Sequence, residues 1–354
     1  MTPADLHFQG ESVLGVCGFS GAGKTTLLVH AVTELVRRGL RVGVVKHDAH
    51  GITTVDPEHK DSARLFGAGA DVVLQGPGEG LRRCRGDGNL AAAVGGLLTD
   101  HDVVLVEGHK GTSIAKVWLV DADGREPGPE VEGVVEVLPR DEHRADRFMA
   151  FLEDWLARQW SSRPIMGGVL LGGGSRRMGA PKQLVAHRGR TLIEIAVAAV
   201  ACVADEVVLL GAGEVPENLE RLQRLPDIAE TDGPMAGLLS AMRWHPRATW
   251  IFAACDMPLL RPAAVRWLAE QRRPGTWAVL PRVDDTGIEP LLAVYEHQSR
   301  KLLEEIVRNG RRAPRHIHEH PAVRTPTPPE DLRILWANAN TPEDLERLTV
   351  RGGK

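Results

Sequence analysis

Apolar runs and helical patterns alternate along the chain. Ser12 to Cys17 reads as a strand, and a glycine-rich turn follows it. From Thr25 to Arg38 the residues Leu27, Leu28, Ala31, Val32, Leu35 and Val36 recur at helical spacing, and Gly39 supplies a stop. Further strands are predicted over Arg41 to Val45 and over Asp102 to Val106, the latter rich enough in Val and Leu to be buried on both faces. A helical stretch from Asp146 to Trp160 runs into Ser161, Ser162, Arg163 and Pro164, a polar segment closed by Pro that reads as a linker. A new strand starts at Met166 with a second glycine-rich turn behind it, and another covers Thr249 to Ala254. This pattern predicts an α/β fold with mostly parallel sheets. It also predicts two domains, over residues 10–160 and 165–350. The two glycine turns differ in spacing and charge, so the halves are not repeats.

Composition narrows the function classes. A length of 354 residues suits about two domains, and 25% charged with 43% hydrophobic residues fits a globular chain. Up to residue 164 there are 18 basic and 24 acidic residues, and beyond it 25 and 23. Neither half carries the positive excess of a nucleic-acid binder, and one Tyr with six Phe gives little for stacking bases. The longest apolar run, Ile195 to Ala204, is far shorter than the roughly 20 residues that span a bilayer. Met1 to Gln9 lacks the basic start and apolar stretch of a signal peptide. The expectation is a cytoplasmic protein with neither nucleic-acid nor membrane partners. The four cysteines lie far apart without a CxxC pair, which suggests neither a disulfide framework nor a zinc knuckle.

The first glycine turn, Gly18 to Thr25, fits GxxxxGK[ST] between a strand and a helix. Gly18, Ser20, Gly21, Ala22 and Gly23 let successive backbone N–H groups face phosphate. Lys24 offers a point charge to the outer phosphates, the Thr25 hydroxyl suits Mg²⁺, and Thr26 continues the binding segment. Glu107, at the end of the Asp102 strand, is the carboxylate expected to organise metal and water. These features predict a P-loop NTPase-type sheet. His47, His50 and His59 fall close together and read either as polar loop residues near phosphate or as a metal cluster.

The second turn, Leu170 to Lys182, is a different device. Its glycines allow close approach to phosphate, while Arg177 and Lys182 can neutralise the charge that builds up when an α-phosphate is attacked. No Walker Ser/Thr follows Lys182, so the metal is expected on Asp256, at the carboxyl end of the Thr249 strand. An Asp there also suits a helix cap. Asp232 opens a turn of small residues able to admit a flat base. Thr341, Pro342 and Asp344 form a helix start, which leaves Asn338 and Asn340 unexplained by capping. Arg308, Arg311, Arg312 and Arg315 could receive a phosphate, and His316, His318 and His320 alternate as on a strand.

In order, GFSGAGKTTLL, VVKHDAHG, KDSARLFGAGAD and DVVLVEGHK resemble the MobB family, the GTP-binding accessory proteins of molybdopterin-guanine dinucleotide biosynthesis. Likewise LLGGGSRRMGAPK, DGPMAG, ACDMP, EPLLAVY and NANTPEDL resemble the molybdenum cofactor nucleotidyltransferases, on the guanylyltransferase (MobA) side. The second resemblance implies a Rossmann-like nucleotidyltransferase fold that moves GMP from GTP to molybdopterin with Mg²⁺ and releases pyrophosphate. It implies nucleotide contacts at Leu170, Leu171, Gly172, Gly173 and Lys182, a base or ribose contact at Asp232, Mg²⁺ with nucleotide at Asp256, and pterin contacts at Asn338 and Asn340. The first implies GTP as ligand of the N-terminal domain, with weak hydrolysis. Together they imply molybdopterin-inserting proteins, molybdoenzyme apoproteins or their chaperones as partners. Alternatives are a GTP-regulated cofactor delivery module, or transfer from CTP or to a sugar phosphate.

Overall fold

The computed structural model describes residues 11–46, 61–83, 89–172, 181–283 and 287–351. The chain divides into two compact units, Met1–Leu152 and Glu153–Lys354. In the first, the elements are β1 (Val13–Gly18), α1 (Lys24–Arg37), β2 (Val42–Lys46), α2 (Asp61–Gly67), β3 (Val72–Gly76), β4 (Glu79–Arg83), α3 (Leu90–Leu98), β5 (Val103–Glu107), β6 (Lys116–Leu119) and β7 (Val134–Leu138). Helix α4 (Arg144–Ser161) follows. Five strands form a wholly parallel sheet in the order β2-β5-β1-β6-β7, while β3 and β4 make a separate antiparallel hairpin. Strands β1 and β5 run through the sheet's interior and are buried along nearly their whole length, which is why they read as unbroken apolar runs.

Strands β1, β2 and β5 each begin one residue later than their apolar runs predict. The polar residue in front is used for anchoring. The Asp102 carboxylate accepts the Arg41 N–H at 2.8 Å and the Asp102 N–H donates to the Arg41 carbonyl at 2.8 Å, fixing β5 beside β2 before the ladder starts.

The second unit contains β8 (Ile165–Leu170), β9 (Ala186–His187), β10 (Arg190–Thr191), α5 (Leu192–Val200), β11 (Glu206–Leu210), β12 (Arg224–Leu225), α6 (Pro234–Trp244), β13 (Thr249–Ala254) and α7 (Pro262–Glu270). It continues through β14 (Ala278–Val279), β15 (Leu292–Tyr295), α8 (Ser299–Arg308), β16 (Val323–Arg324), α9 (Glu330–Arg333) and α10 (Pro342–Arg351). Its seven-stranded sheet has the order β12-β11-β8-β13-β15-β14-β16, with β15 antiparallel to both neighbours. This sheet is therefore mixed rather than mostly parallel throughout. Apolar clusters cover both faces, one involving α5 and α7, the other α6 and α8. The central strand can be sandwiched this closely because of two glycines. A Cβ on Gly167 would come within 2.4 Å of Val200 on α5, and one on Gly168 within 2.5 Å of the Phe252 ring.

Below the sheet's working edge, Glu296 is a buried anion. It accepts from Thr249 Oγ1 at 2.7 Å and from Arg272 Nε at 2.7 Å, with Arg163 3.7 Å away. His316 and His318 lie on a 3₁₀ helix, Pro314–Glu319, with His320 as its cap, instead of on the strand their alternation suggested. Pro314 presets the helical φ at its start and removes a strand donor. Among the described residues no helix is long and apolar enough to cross a membrane, and no cluster of three or more His, Cys, Asp or Glu has metal-holding geometry.

Candidate active site

The first glycine loop leaves β1 at Gly18, whose φ of 152° and tight fit against Leu119 exclude a side chain, since a Cβ would stand 2.7 Å from the Leu119 carbonyl. Lys24 Nζ reaches back along the loop to the carbonyls of Gly18 at 3.2 Å and Phe19 at 2.8 Å. The Thr25 hydroxyl donates to the Glu107 carboxylate, 3.0 and 3.2 Å from its two oxygens. Strand pairing of Lys46 with Glu107 brings a second cation to 4.0 Å from that carboxylate. Thr26 and His30 line an adjoining cavity of about 390 Å³ with the loop, Arg140 to Glu142, Arg144 and Ala145. Arg144 closes one wall by donating to the carbonyls of Ala22, Pro139 and Val120. Burial pulls its guanidinium pKa down from the ordinary arginine value. His47, His50 and His59 lie outside the described residues.

In the second unit the carboxyl ends of β8, β11 and β13 face one edge, as parallel neighbours must. Lys182 Nζ sits at that edge between two acceptors, Asp256 Oδ2 at 2.9 Å and Asn340 Oδ1 at 2.7 Å. Two segments, 74 and 158 positions away from Lys182 in sequence, thus meet at its ammonium group. Asp256 Oδ1 is buried and makes no hydrogen bond among the described residues. Ala339 N–H donates to the Asp256 carbonyl at 2.8 Å, so the segment carrying both asparagines is pinned to the β13 end. Asn340 meets Lys182, whereas Asn338 Nδ2 lies 3.4 Å from Glu289 Oε2. Burial raises the Glu289 carboxyl above its ordinary pKa, and the charge of Asp256 adds to the shift. Burial likewise pushes the Cys255 thiol up to about 12, which keeps it protonated and unsuited to nucleophilic work.

Leu171 N–H bonds the Leu210 carbonyl at 2.9 Å, and a Cβ on Gly172 would touch Lys182 Cβ at 3.1 Å, so this part of the loop lies against the site. Gly173 and Arg177 lie outside the described residues. Asp232 is exposed and bonds Arg312 at 2.5 Å. A different carboxylate, Asp227, stands beside Gly211 at the end of β11. A Cβ on Gly211 would be 3.6 Å from Asp227 Oδ2, and burial alone raises the Asp227 carboxyl above its usual range. Sequence reasoning passed over Asp227, although the signal was a carboxylate directly after the short β12 and Pro226.

Residues 13–137 match the family model for molybdopterin guanine dinucleotide synthesis protein B, MobB, and residues 167–323 match that for the MobA-like NTP transferase domain. The chain is 34% identical over 161 residues to a molybdopterin-guanine dinucleotide biosynthesis adapter protein of Haemophilus influenzae, covering 41% of this chain and 89% of that protein. It is 32% identical over 193 residues to a probable molybdenum cofactor guanylyltransferase of Pelotomaculum thermopropionicum, covering 52% of this chain and 91% of that one. The chain belongs to both families. Its MobB domain precedes its MobA-like domain. A molybdenum cofactor biosynthesis bifunctional protein of Synechocystis is 30% identical over 191 residues, 53% of this chain and 54% of that protein. The match to the MobA-like domain ends at residue 323, yet Asn338 and Asn340 return to its site through the Ala339 hydrogen bond. In the MobB domain, the Lys24, Thr25 and Glu107 constellation falls inside the matched residues.

Proposed function

We propose that the MobA-like domain, residues 165–350, transfers GMP from GTP to the terminal phosphate of molybdopterin. An acceptor phosphate oxygen forms a bond to the α-phosphorus of GTP, the bond to the bridging oxygen breaks, and pyrophosphate leaves with that electron pair. The observation that carries this reading is Lys182 held between Asp256 and Asn340 at the end of β8 and β13. A cation there is placed to neutralise charge accumulating on phosphate, and the attacking phosphate, already ionised at neutral pH, needs no strong base. Positioning and charge neutralisation supply the catalysis. Leu170, Leu171 and Gly172 line the triphosphate side, and Asp227, rather than Asp232, takes the ribose or base. The orphaned Oδ1 of Asp256 and the Asn340 oxygen fit Mg²⁺, which prefers one or two protein oxygens plus substrate phosphates. When bound it would polarise the α-phosphate.

The MobB domain, residues 10–160, binds GTP on Gly18 to Thr26, with Thr25 and Glu107 as the pair suited to its Mg²⁺. It acts as an adaptor, and fusion raises the effective concentration of each domain for the other. Molybdopterin-inserting proteins and molybdoenzyme apoproteins or their chaperones are its partners, and the setting is the cytoplasm.

The decisive experiment follows pyrophosphate release from GTP and molybdopterin by the full chain and by Asp256→Asn. Turnover by the parent that is lost in the variant supports the assignment. Equal turnover in both would overturn it.

A further inference from the structure

Glu289 opens the EPLLAVY segment, and the roles assigned so far leave it unused. It lies just before β15. That strand runs antiparallel to β13, and Ala254 N–H bonds the Leu291 carbonyl at 2.8 Å, so Glu289 reaches the same sheet edge as Asp256. It does so on the opposite flank from β11. Leu171, Gly211 and Asp227 border the β11 side, whereas a cavity of about 460 Å³ opens on the β15 side, lined by Glu289, Asn338, Ile288, Arg333 and Trp336 among others. That volume suits a bicyclic heterocycle.

The Glu289 carboxylate is held in a fixed orientation. Its Oε1 accepts the Leu291 N–H at 2.7 Å and its Oε2 faces Asn338 Nδ2 at 3.4 Å. A carboxylate has about four acceptor positions, so two remain for a ligand. Two parallel acceptors match an adjacent ring N–H and exocyclic amine, a donor pair found on the 2-amino-4-oxo edge that pterins and guanine share. Asn338 and Asn340 flank Ala339, itself bonded to Asp256, so this carboxylate and the Lys182 centre are tied by a three-residue segment.

Resting on the guanylyltransferase reading, we propose that Glu289 is the specificity residue for the acceptor, receiving the 2-amino-4-oxo edge of the pterin in the cavity between β15 and the Trp336 to Asn338 segment. The nucleotide's guanine carries the same edge, and its place on the β11 flank assigns it elsewhere.

The test compares the full chain with Glu289→Gln. Calorimetry with 6-methylpterin and 6-methyllumazine, which has a 2-oxo group in place of the amine, reads the edge without turnover. The parent should bind the pterin at least about tenfold tighter than the lumazine, because the latter lacks the amine donor and sets a carbonyl oxygen against the carboxylate. Gln offers one acceptor and one donor, so the variant should reverse that preference. In turnover, the KM for molybdopterin should rise about tenfold or more while kcat and the KM for GTP stay within about twofold, a split that general loosening of the fold would not give. Unchanged pterin preference with unchanged KM for molybdopterin overturns the proposal. So does a rise confined to the KM for GTP with loss of discrimination against ITP, which would place guanine on Glu289. A parent that binds 6-methylpterin over 6-methyllumazine but releases no pyrophosphate would sink the transfer reading and leave the edge assignment standing.

Discussion

Ala339 donates its backbone N–H to the carbonyl of Asp256 at 2.8 Å, and its methyl group is fully buried beside Leu259 and Leu348. That single bond sets the asparagines on either side to opposite duties. Enlarging the side chain forces the segment away from β13. Ala339→Leu is expected to destabilise the second unit by about 1–3 kcal/mol, as overpacking does. Transfer should fall by more than the folded fraction explains, which urea melts paired with pyrophosphate assays on the folded protein will measure.

Removal of the shared cation should strike the chemistry. With Lys182→Ala, developing phosphate charge loses a neutralising group, and kcat is expected to drop by about 10²–10³-fold, the range for one preorganised electrostatic donor. Asp256 then loses its 2.9 Å partner, so the thermal midpoint should fall as well. Steady-state kinetics with both substrates saturating separates the two effects.

Lys24→Ala probes the other glycine loop. Among the described residues its ammonium group holds loop carbonyls of its own domain, so nucleotide binding to the MobB domain should weaken by about tenfold or more while transfer by the MobA-like domain persists. Equilibrium dialysis of GTP against the full chain, with and without the substitution, counts the sites. Complete loss of transfer in this variant would show instead that the two domains turn over as one unit.

Asp227 gives a pH-dependent expectation. Its folded-state pKa is raised by partial burial of the carboxyl against the sheet end, while the residue as a whole is exposed, so the ionised form carries a small, solvent-screened cost in stability. That cost is absent below the unfolded carboxylate value of about 3.9 and reaches its full size once pH passes the raised folded value. Asp227→Asn should therefore match the parent's stability in acid and exceed it increasingly as pH climbs through that window, then level off. The same variant should bind GTP more weakly. Denaturant midpoints from pH 3 upward, beside GTP titrations, check both arms.

Glu296 anchors the sheet from beneath. Replacement by Ala leaves Arg272 and Arg163 buried against an empty place, and breaking such a group is expected to cost about 3–5 kcal/mol. Urea unfolding of the full chain should show the loss in the transition of the second unit.

Much of this was legible beforehand where chemistry and chain order coincide. The run from Asp102 to Glu107 announces both a buried strand and the carboxylate at its end, and Lys182 and Asp256 follow strands whose apolar content is unmistakable. What escaped depends on folding back. Asp232 adjoins the small-residue turn in sequence, but the chain directs it outward to Arg312, while the strand-end place goes to Asp227 through the pairing of β12 with β11. Asn338 and Asn340 look alike in the chain. Only the Ala339 bond, joining residues far apart in sequence, separates them. The three histidines show the opposite error, since alternation suggested a strand and Pro314 imposed a 3₁₀ turn.

In the proposed transfer site, the pairing of Lys182 with Asp256 and Asn340 would also govern how a nucleotide enters. Among the described residues the ammonium group is already engaged, so Lys182 does not stand as a free cation awaiting an anion. A triphosphate gains Lys182 only by taking it from the carboxylate, which makes binding an exchange of partners. The contribution of Lys182 to affinity is then a difference between two ion pairs, and ionic strength, which weakens both, should change that contribution only shallowly.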